Sequence, residues 1–217
     1  LGSAGGGAEK AMGYEVEARD LAKSYGDRHV FKGISFHIGH GESLAVVGPN
    51  GSGKTTLLKI IAGLLPPTNG EVYIRLEGRP LDRFELRRRM GIVLSERSLY
   101  EELTALENIS FFTKVKGFRS SRDYLMGVLR MVGLEEVSSL LVSEMSSGMK
   151  QRLKIAVAIA HDPGLLILDE PTVNLDPEGL RILKDIMELQ KGRGVLLMAT
   201  ADPREGKMCE HVIRLHP

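Results

Sequence analysis

The stretch Gly48-Pro49-Asn50-Gly51-Ser52-Gly53-Lys54-Thr55 lies between a short apolar run, Ser43 to Val47, and a segment that reads as a helix, Lys54 to Ala62. It matches G-x-x-x-x-G-K-[ST] in the strand-to-helix setting that this pattern requires, and it constrains the fold more than any other feature. Glycines let backbone N–H groups turn inward around an anion, and a following helix N-terminus adds a favourable dipole. Lys54 is then placed to reach the β- and γ-phosphates of a nucleotide, and the Thr55 hydroxyl to ligate Mg2+. A bare glycine turn would need neither the lysine nor the flanking elements.

The rest of the chain alternates strands with helices, apart from one interruption. Tyr14 to Asp20 and Val30 to Ile38 alternate apolar and polar residues, as antiparallel strands at a sheet edge do. Asn69-Gly70 reads as a turn before a strand from Glu71 to Leu76. Thr104 and Glu107 have capping-box spacing ahead of Leu106, Ile109 and Phe112, which predicts a helix. Asp123 to Val132, ended by Gly133, predicts a second, and Ser147 to Ala160 a third. This helical block is expected to form a subdomain at residues 98–160, inserted into a core made of 12–97 and 161–217. Leu165 to Leu168 and Val195 to Ala199 are wholly apolar, as strands covered on both faces of a parallel sheet are. The expected class is therefore α/β.

Bulk properties exclude several alternatives. A chain of 217 residues with 42% hydrophobic and 26% charged content suits one sizeable core with an appended subdomain. A net charge of +1 gives no reason to expect a nucleic-acid partner. No apolar run approaches the length of a membrane span, so a role at a membrane requires another chain to cross it. The single Cys209 cannot form an internal disulfide and fits a reducing cytosol. Leu1 to Ala8 is rich in Gly, Ser and Ala, and residues 1–11 are read as a linker, either an expression scar preceding a native start near Met12 or a natural disordered terminus.

Two further motifs complete the picture. The run Leu165-Leu166-Ile167-Leu168 ends in Asp169 and Glu170, followed by Pro171-Thr172. Asp169 is placed to hold Mg2+ through its water shell, and Glu170 to polarise an attacking water. Strand-end acids alone are weak, since such residues often cap a following helix. Between the loop and the acids stands Met145-Ser146-Ser147-Gly148-Met149-Lys150-Gln151-Arg152. Taken by itself, Ser146-Ser147 is only a helix cap.

The order of these motifs resembles that of the ATP-binding cassette of ABC transporters, and the resemblance covers nearly the whole chain. It implies a P-loop NTPase core, RecA-like, with a parallel sheet, an antiparallel β edge and an inserted helical subdomain. ATP would be held by Gly48, Pro49, Asn50, Gly51, Ser52, Gly53, Lys54, Thr55 and Thr56, with Tyr25 stacked on adenine and Mg2+ among Thr55, Ser95 and Asp169. Ser146, Ser147, Gly148 and Met149 would form the signature element. In this family that element meets the γ-phosphate held by a second cassette, so a homodimer is implied. Asn174 and Asp176 match the D-loop that crosses such an interface, although Asp176-Pro177 is also an ordinary helix start.

Two positions depart from the family pattern. Ser95 stands where a glutamine is usual, and its hydroxyl reaches less far. Ala201, in Ala199-Thr200-Ala201-Asp202, stands where the switch histidine is usual. A methyl group neither hydrogen-bonds a γ-phosphate nor fixes a water. Either the cassette is naturally degenerate, or a histidine was changed to trap ATP, which the intact Glu170 and phosphate loop favour. The resemblance further implies an ATPase at the cytoplasmic face of the cell membrane, bound to an integral membrane permease. Small exporter cassettes, for heme, drugs or polysaccharides, are the nearest in pattern. A soluble cassette, such as the ATPase of iron–sulfur cluster assembly, would carry the same nucleotide motifs. A DNA-repair ATPase would need a long coiled-coil insertion that is missing, and a small-molecule kinase would not need the signature.

Overall fold

The computed structural model describes residues 13–94 and 99–216, so the expected linker and Ser95 lie outside the described residues. Strands β1 (Tyr14–Tyr25) and β2 (Arg28–Ile38) form a hairpin, and β3 (Ser43–Val47) leads into α1 (Lys54–Ile61). Then come β4 (Asn69–Leu76), β5 (Arg79–Pro80), α2 (Arg83–Arg89) and β6 (Met90–Val93). Three helices follow, α3 (Ala105–Val115), α4 (Arg122–Met131) and α5 (Ser147–Ile159). The chain closes with β7 (Leu165–Asp169), α6 (Pro177–Lys191), β8 (Val195–Thr200) and β9 (His211–Arg214).

Two sheets result. A parallel sheet has the order β6-β7-β8-β3-β9, and the antiparallel strands form a sheet of their own, β2-β1-β4-β5. Every residue of β3, β7 and β8 is buried, which their continuous apolar character requires. Successive residues on these strands serve opposite cores. Ala45, Val47, Leu166, Leu168, Leu196 and Met198 join the side chains of α3, α4, α5 and α6. Leu44, Val46, Leu165, Ile167, Leu197 and Ala199 join α1 and the antiparallel sheet. Because β3, β7 and β8 are neighbours and parallel, their carboxyl ends open on one edge, where the phosphate loop, Glu170 and Ala201 follow them.

Several details differ from the sequence reading. β1 does not end at Asp20 but runs on to Tyr25 across a bulge, with Asp20 at φ 46° and its N–H bonded to Ser35 Oγ at 2.8 Å. The bulge moves the inward row from Ala18 to Leu21, and this broken alternation mimics a strand end. Asn69-Gly70 is no turn but the start of β4, with Asn69 opposite Ala22. Gly70 has φ 83°, and a Cβ there would fall 2.3 Å from the Arg19 carbonyl oxygen. Glycine is required for that close backbone approach. The helix α2 and the strands β5, β6 and β9 were not anticipated, although α2 carries a full Asp82–Glu85 capping box, and of α6 only the start at Asp176-Pro177 was. The capping box expected at Thr104 and Glu107 is present in both directions.

Asn108 shapes the entry to the helical block. It is fully buried; its Oδ1 accepts from the Tyr100 N–H at 2.9 Å, and its Nδ2 donates to the carbonyls of Tyr100 (3.0 Å) and Thr104 (3.0 Å). Asn108→Ala strands these backbone groups and is expected to cost about 1–3 kcal/mol in a urea unfolding experiment. An unchanged midpoint would show that water replaces the amide without penalty.

Candidate active site

The turn from β3 into α1 is built on glycine. Gly51 and Gly53 hold φ of 83° and 96°, and Gly53 caps α1 without any side-chain cap. The first N–H groups of the helix are therefore left for a ligand. Ser52 is buried, and its Oγ has no hydrogen-bond partner among the described residues. A Cβ on Gly53 would lie 2.5 Å from Val30 Cγ1 and 3.1 Å from Phe31 Cδ1, so β2 packs directly on the loop.

Lys54 lies across this turn. It is 6% exposed, and its Nζ donates to the carbonyls of Gly48 (2.8 Å) and Pro49 (3.2 Å). The same nitrogen is 3.3 Å from Glu170 Oε1. Thr55 Oγ1 donates to Asp169 Oδ2 at 2.8 Å, which joins the start of α1 to the end of β7. Glu170 sits at φ 48°, a conformation unfavourable for a non-glycine residue. Its N–H donates to the Ala199 carbonyl at 2.9 Å, and its Oε2 accepts from the Ala201 N–H at 3.2 Å. Position 201 thus touches the acid through its backbone, whatever its side chain.

A cleft of about 630 Å³ opens beside these groups. Of the residues singled out in the sequence, Tyr25, Asn50, Gly51, Gly53, Lys54, Thr55, Thr56 and Glu170 line it. Gly48, Pro49, Ser52, Asp169 and Ala201 do not line it; Gly48 and Pro49 hold Lys54, Asp169 holds Thr55, and Ala201 holds Glu170. Arg28 and Val30 line the cleft too and were missed. The signal for them is the short Gly26-Asp27 connection, which sets Arg28 opposite Tyr25 in a hairpin.

Ser146, Ser147, Gly148 and Met149 are absent from the cleft wall. Ser146 caps α5 through its Oγ and the Met149 N–H at 3.2 Å. A Cβ on Gly148 would fall 2.8 Å from the Asn174 carbonyl oxygen, and Asn174 itself has φ 64°. Asp176 caps α6 by accepting from the Gly179 N–H at 2.7 Å, which is its ordinary structural role.

The donor set suits a nucleotide and a hard cation. Open backbone donors face the cleft, one ammonium lies against it, and a hydroxyl and a carboxylate stand side by side. Among the described residues no three His, Cys, Asp or Glu side chains converge on one point. A cation at Thr55 and Asp169 would therefore complete its shell with phosphate oxygens and water, as Mg2+ does.

Residues 31–173 match the family pattern described as ABC transporter. The chain belongs to that family. ABC ATPases bind and hydrolyse ATP as a class. The lantibiotic transport ATP-binding protein SrtF of Streptococcus pyogenes is 38% identical, over 86% of this chain and 79% of its own length. The Nod factor export ATP-binding protein I of Paraburkholderia xenovorans is 35% identical, over 91% of this chain and 66% of its own. Among such relatives the chain spans from 58% to 79% of their length. A solved dimeric ATP-binding cassette in a post-hydrolysis state, bound to ADP and Pi, superimposes with a TM-score of 0.78. It is 31% identical, with 92% of this chain and 94% of that one covered.

Gly53→Ala is expected to destabilise the chain by about 1–3 kcal/mol, because the added methyl meets Val30 and the backbone is strained for a side chain. Urea unfolding without nucleotide measures this. A midpoint equal to that of the parent chain would show that β2 yields freely to the loop.

Proposed function

We propose that this ABC transporter family member is the ATP-hydrolysing subunit of an exporter, working as a pair of cassettes on a separate membrane subunit. One observation carries the reading. The cleft has a phosphate loop, a hydroxyl–carboxylate pair and a poised acid, while the signature of the same chain lies off it. A second copy would supply the missing wall. The dimeric cassette bound to ADP and Pi supports that arrangement, and the names of the transport and export relatives support the direction.

In this reading the triphosphate lies in the Gly48–Thr56 turn, with the base on Tyr25. Lys54 exchanges the Gly48 and Pro49 carbonyls for β- and γ-phosphate oxygens, and so gives up neutral acceptors for charged ones. Thr55 and Asp169 would hold Mg2+, which would supply positive charge against the phosphate oxygens. Glu170 accepts a hydrogen bond from the attacking water and draws off its proton. Ser146, Gly148 and the N-terminus of α5 meet the partner's γ-phosphate, with Ser147, Met149, Asn174 and Asp176 at the joint. Ala201 offers its N–H to Glu170 but nothing to the phosphate, so turnover is slow.

The helical block, residues 98–160, and the core, 12–97 with 161–217, would move relative to each other as nucleotide comes and goes. A groove of about 810 Å³ beside α2, β6 and the end of α3 is the proposed seat of the membrane subunit. Phe84 and Val115, 70% and 67% exposed, border it. Such exposure of large apolar groups suits a protein interface better than a freely soluble enzyme. No helix among the described residues is long and apolar enough to cross a membrane. The proposed association is peripheral, at the cytoplasmic face.

MgATP is expected to convert the monomer to a dimer in light scattering, and Lys54→Ala to abolish this by weakening ATP binding by roughly 2–5 kcal/mol. A monomer at saturating MgATP, with the membrane subunit present, would overturn the paired arrangement. Ala201→His is expected to raise kcat by a factor on the order of 10²–10³, the effect of one preorganised donor. ATP affinity changes far less, and adding Glu170→Gln removes the gain, since water activation and phosphate stabilisation act as one unit. Phosphate release at the parent rate in the histidine variant would remove Ala201 from the mechanism.

A further inference from the structure

The inward face of β1 carries a charge. Tyr14, Val16, Ala18 and, past the bulge, Leu21 are buried against the core, and Lys23 continues their row at 8% exposure. The β1–β2 register is irregular on both sides of it. Its Nζ donates to the Pro66 carbonyl at 2.9 Å and stands 4.9 Å from the centroid of the Tyr25 ring. Among the described residues no carboxylate pairs with it. A buried ammonium without a counter-ion is costly, and what this one has in return is a carbonyl dipole and an aromatic face.

Tyr25 needs such support. It ends β1, next to the Gly26-Asp27 turn, and is 54% exposed. A ring so placed can rotate among its side-chain rotamers, and a base can stack only if one face is presented at a fixed angle. Lys23 is anchored behind by Pro66, in the segment that leaves α1, the helix of the phosphate loop. One ring face is therefore tied, through Lys23 and Pro66, to the segment that leaves α1, and the same ring lines the cleft.

We propose that Lys23 is a positioning residue of the nucleotide site, whose buried ammonium backs one face of Tyr25 and presents the other to the base. This rests on the nucleotide reading of the cleft. Lys23 does not touch the nucleotide; it sets the distance and angle between the base platform and the phosphate loop. The cation and the ring form one unit, in which either is ineffective without the other.

Calorimetric titration of the full chain tests this, with MgATP and, as a probe without a base, inorganic tripolyphosphate. Lys23→Met keeps the length of the stem and removes the charge. It is expected to weaken ATP about 2- to 30-fold, the span of a cation–π contact, and to leave tripolyphosphate unchanged. In a Tyr25→Ala background the same change is expected to have no further effect, and Lys23→Arg, which keeps a cation over the ring, to restore ATP affinity. Thermal melting of each variant verifies that the chain is folded. Undiminished ATP affinity in Lys23→Met overturns the proposal, as does an equal loss for tripolyphosphate or a full loss persisting without the ring. If Tyr25→Ala weakens ATP while Lys23→Met does not, only the role of Lys23 falls. If neither Tyr25→Ala nor Lys54→Ala affects ATP, the nucleotide reading falls with it.

Discussion

A single buried ammonium joins the two halves of the site. Lys54 stands at the first turn of α1, and its Nζ is shared by two loop carbonyls and the Glu170 carboxylate. Removing either side would leave a desolvated charge short of partners, at a cost of several kcal/mol. The shape of the phosphate loop and the position of the acid after β7 therefore depend on each other. The Thr55–Asp169 bond repeats the tie between the neighbouring residues, one later on α1 and one earlier on β7. Between β3 and β7 lies β8, whose end supplies the Ala199 carbonyl and the Ala201 N–H that hold Glu170 at φ 48°. Strain of this kind persists only where its surroundings over-determine it. Here three strand ends do so.

The same geometry links the acid to the signature. Pro171 follows Glu170, and its carbonyl accepts from the buried Gln151 Nε2 at 3.0 Å. Gln151 lies on α5, close behind Ser146 and Gly148, and Gly148 leaves room for the Asn174 carbonyl. The segment after β7 is thus joined to the first turns of α5 by one hydrogen bond and one close packing contact. On the proposed reading the groups that sense the local nucleotide and those that reach toward the partner's are mechanically continuous.

What could be read from the residues was whatever rests on local chemistry. The glycine loop needs positive φ at Gly51 and Gly53, and only glycine supplies that freely. The strands β3, β7 and β8 are buried on both faces, and an unbroken apolar run has few other uses. The capping box at Thr104 is similarly self-contained. What escaped depends on partners distant in the chain. Arg28 and Val30 reach the cleft only because β2 folds onto the loop, and Gly70 is explained by the Arg19 carbonyl rather than by its neighbours. Lys23 is the clearest case, since its alternation reads as an ordinary polar position until Pro66 and Tyr25 enclose it. That only the start of α6, at Asp176-Pro177, was read has a different cause. Its buried Ile182, Leu183, Ile186 and Met187 recur at helical spacing, and the pattern was there to be used.

Position 201 shows why nucleotide grip and turnover separate in such a site. The contact that holds Glu170 comes from the backbone N–H of Ala201, so the side chain at this position takes no part in holding the acid against Lys54. On the proposed reading, ground-state binding draws on the loop, α1 and the ring of Tyr25 rather than on the side chain at 201. The transition state differs, because charge then builds on phosphoryl oxygens that a methyl group cannot stabilise. An interaction made only there changes the rate without changing the hold on the substrate. On the proposed reading, a cassette with alanine at this position closes on ATP with its geometry intact and stays closed. The closed form then persists for as long as hydrolysis is delayed, because opening waits on loss of the γ-phosphate contacts.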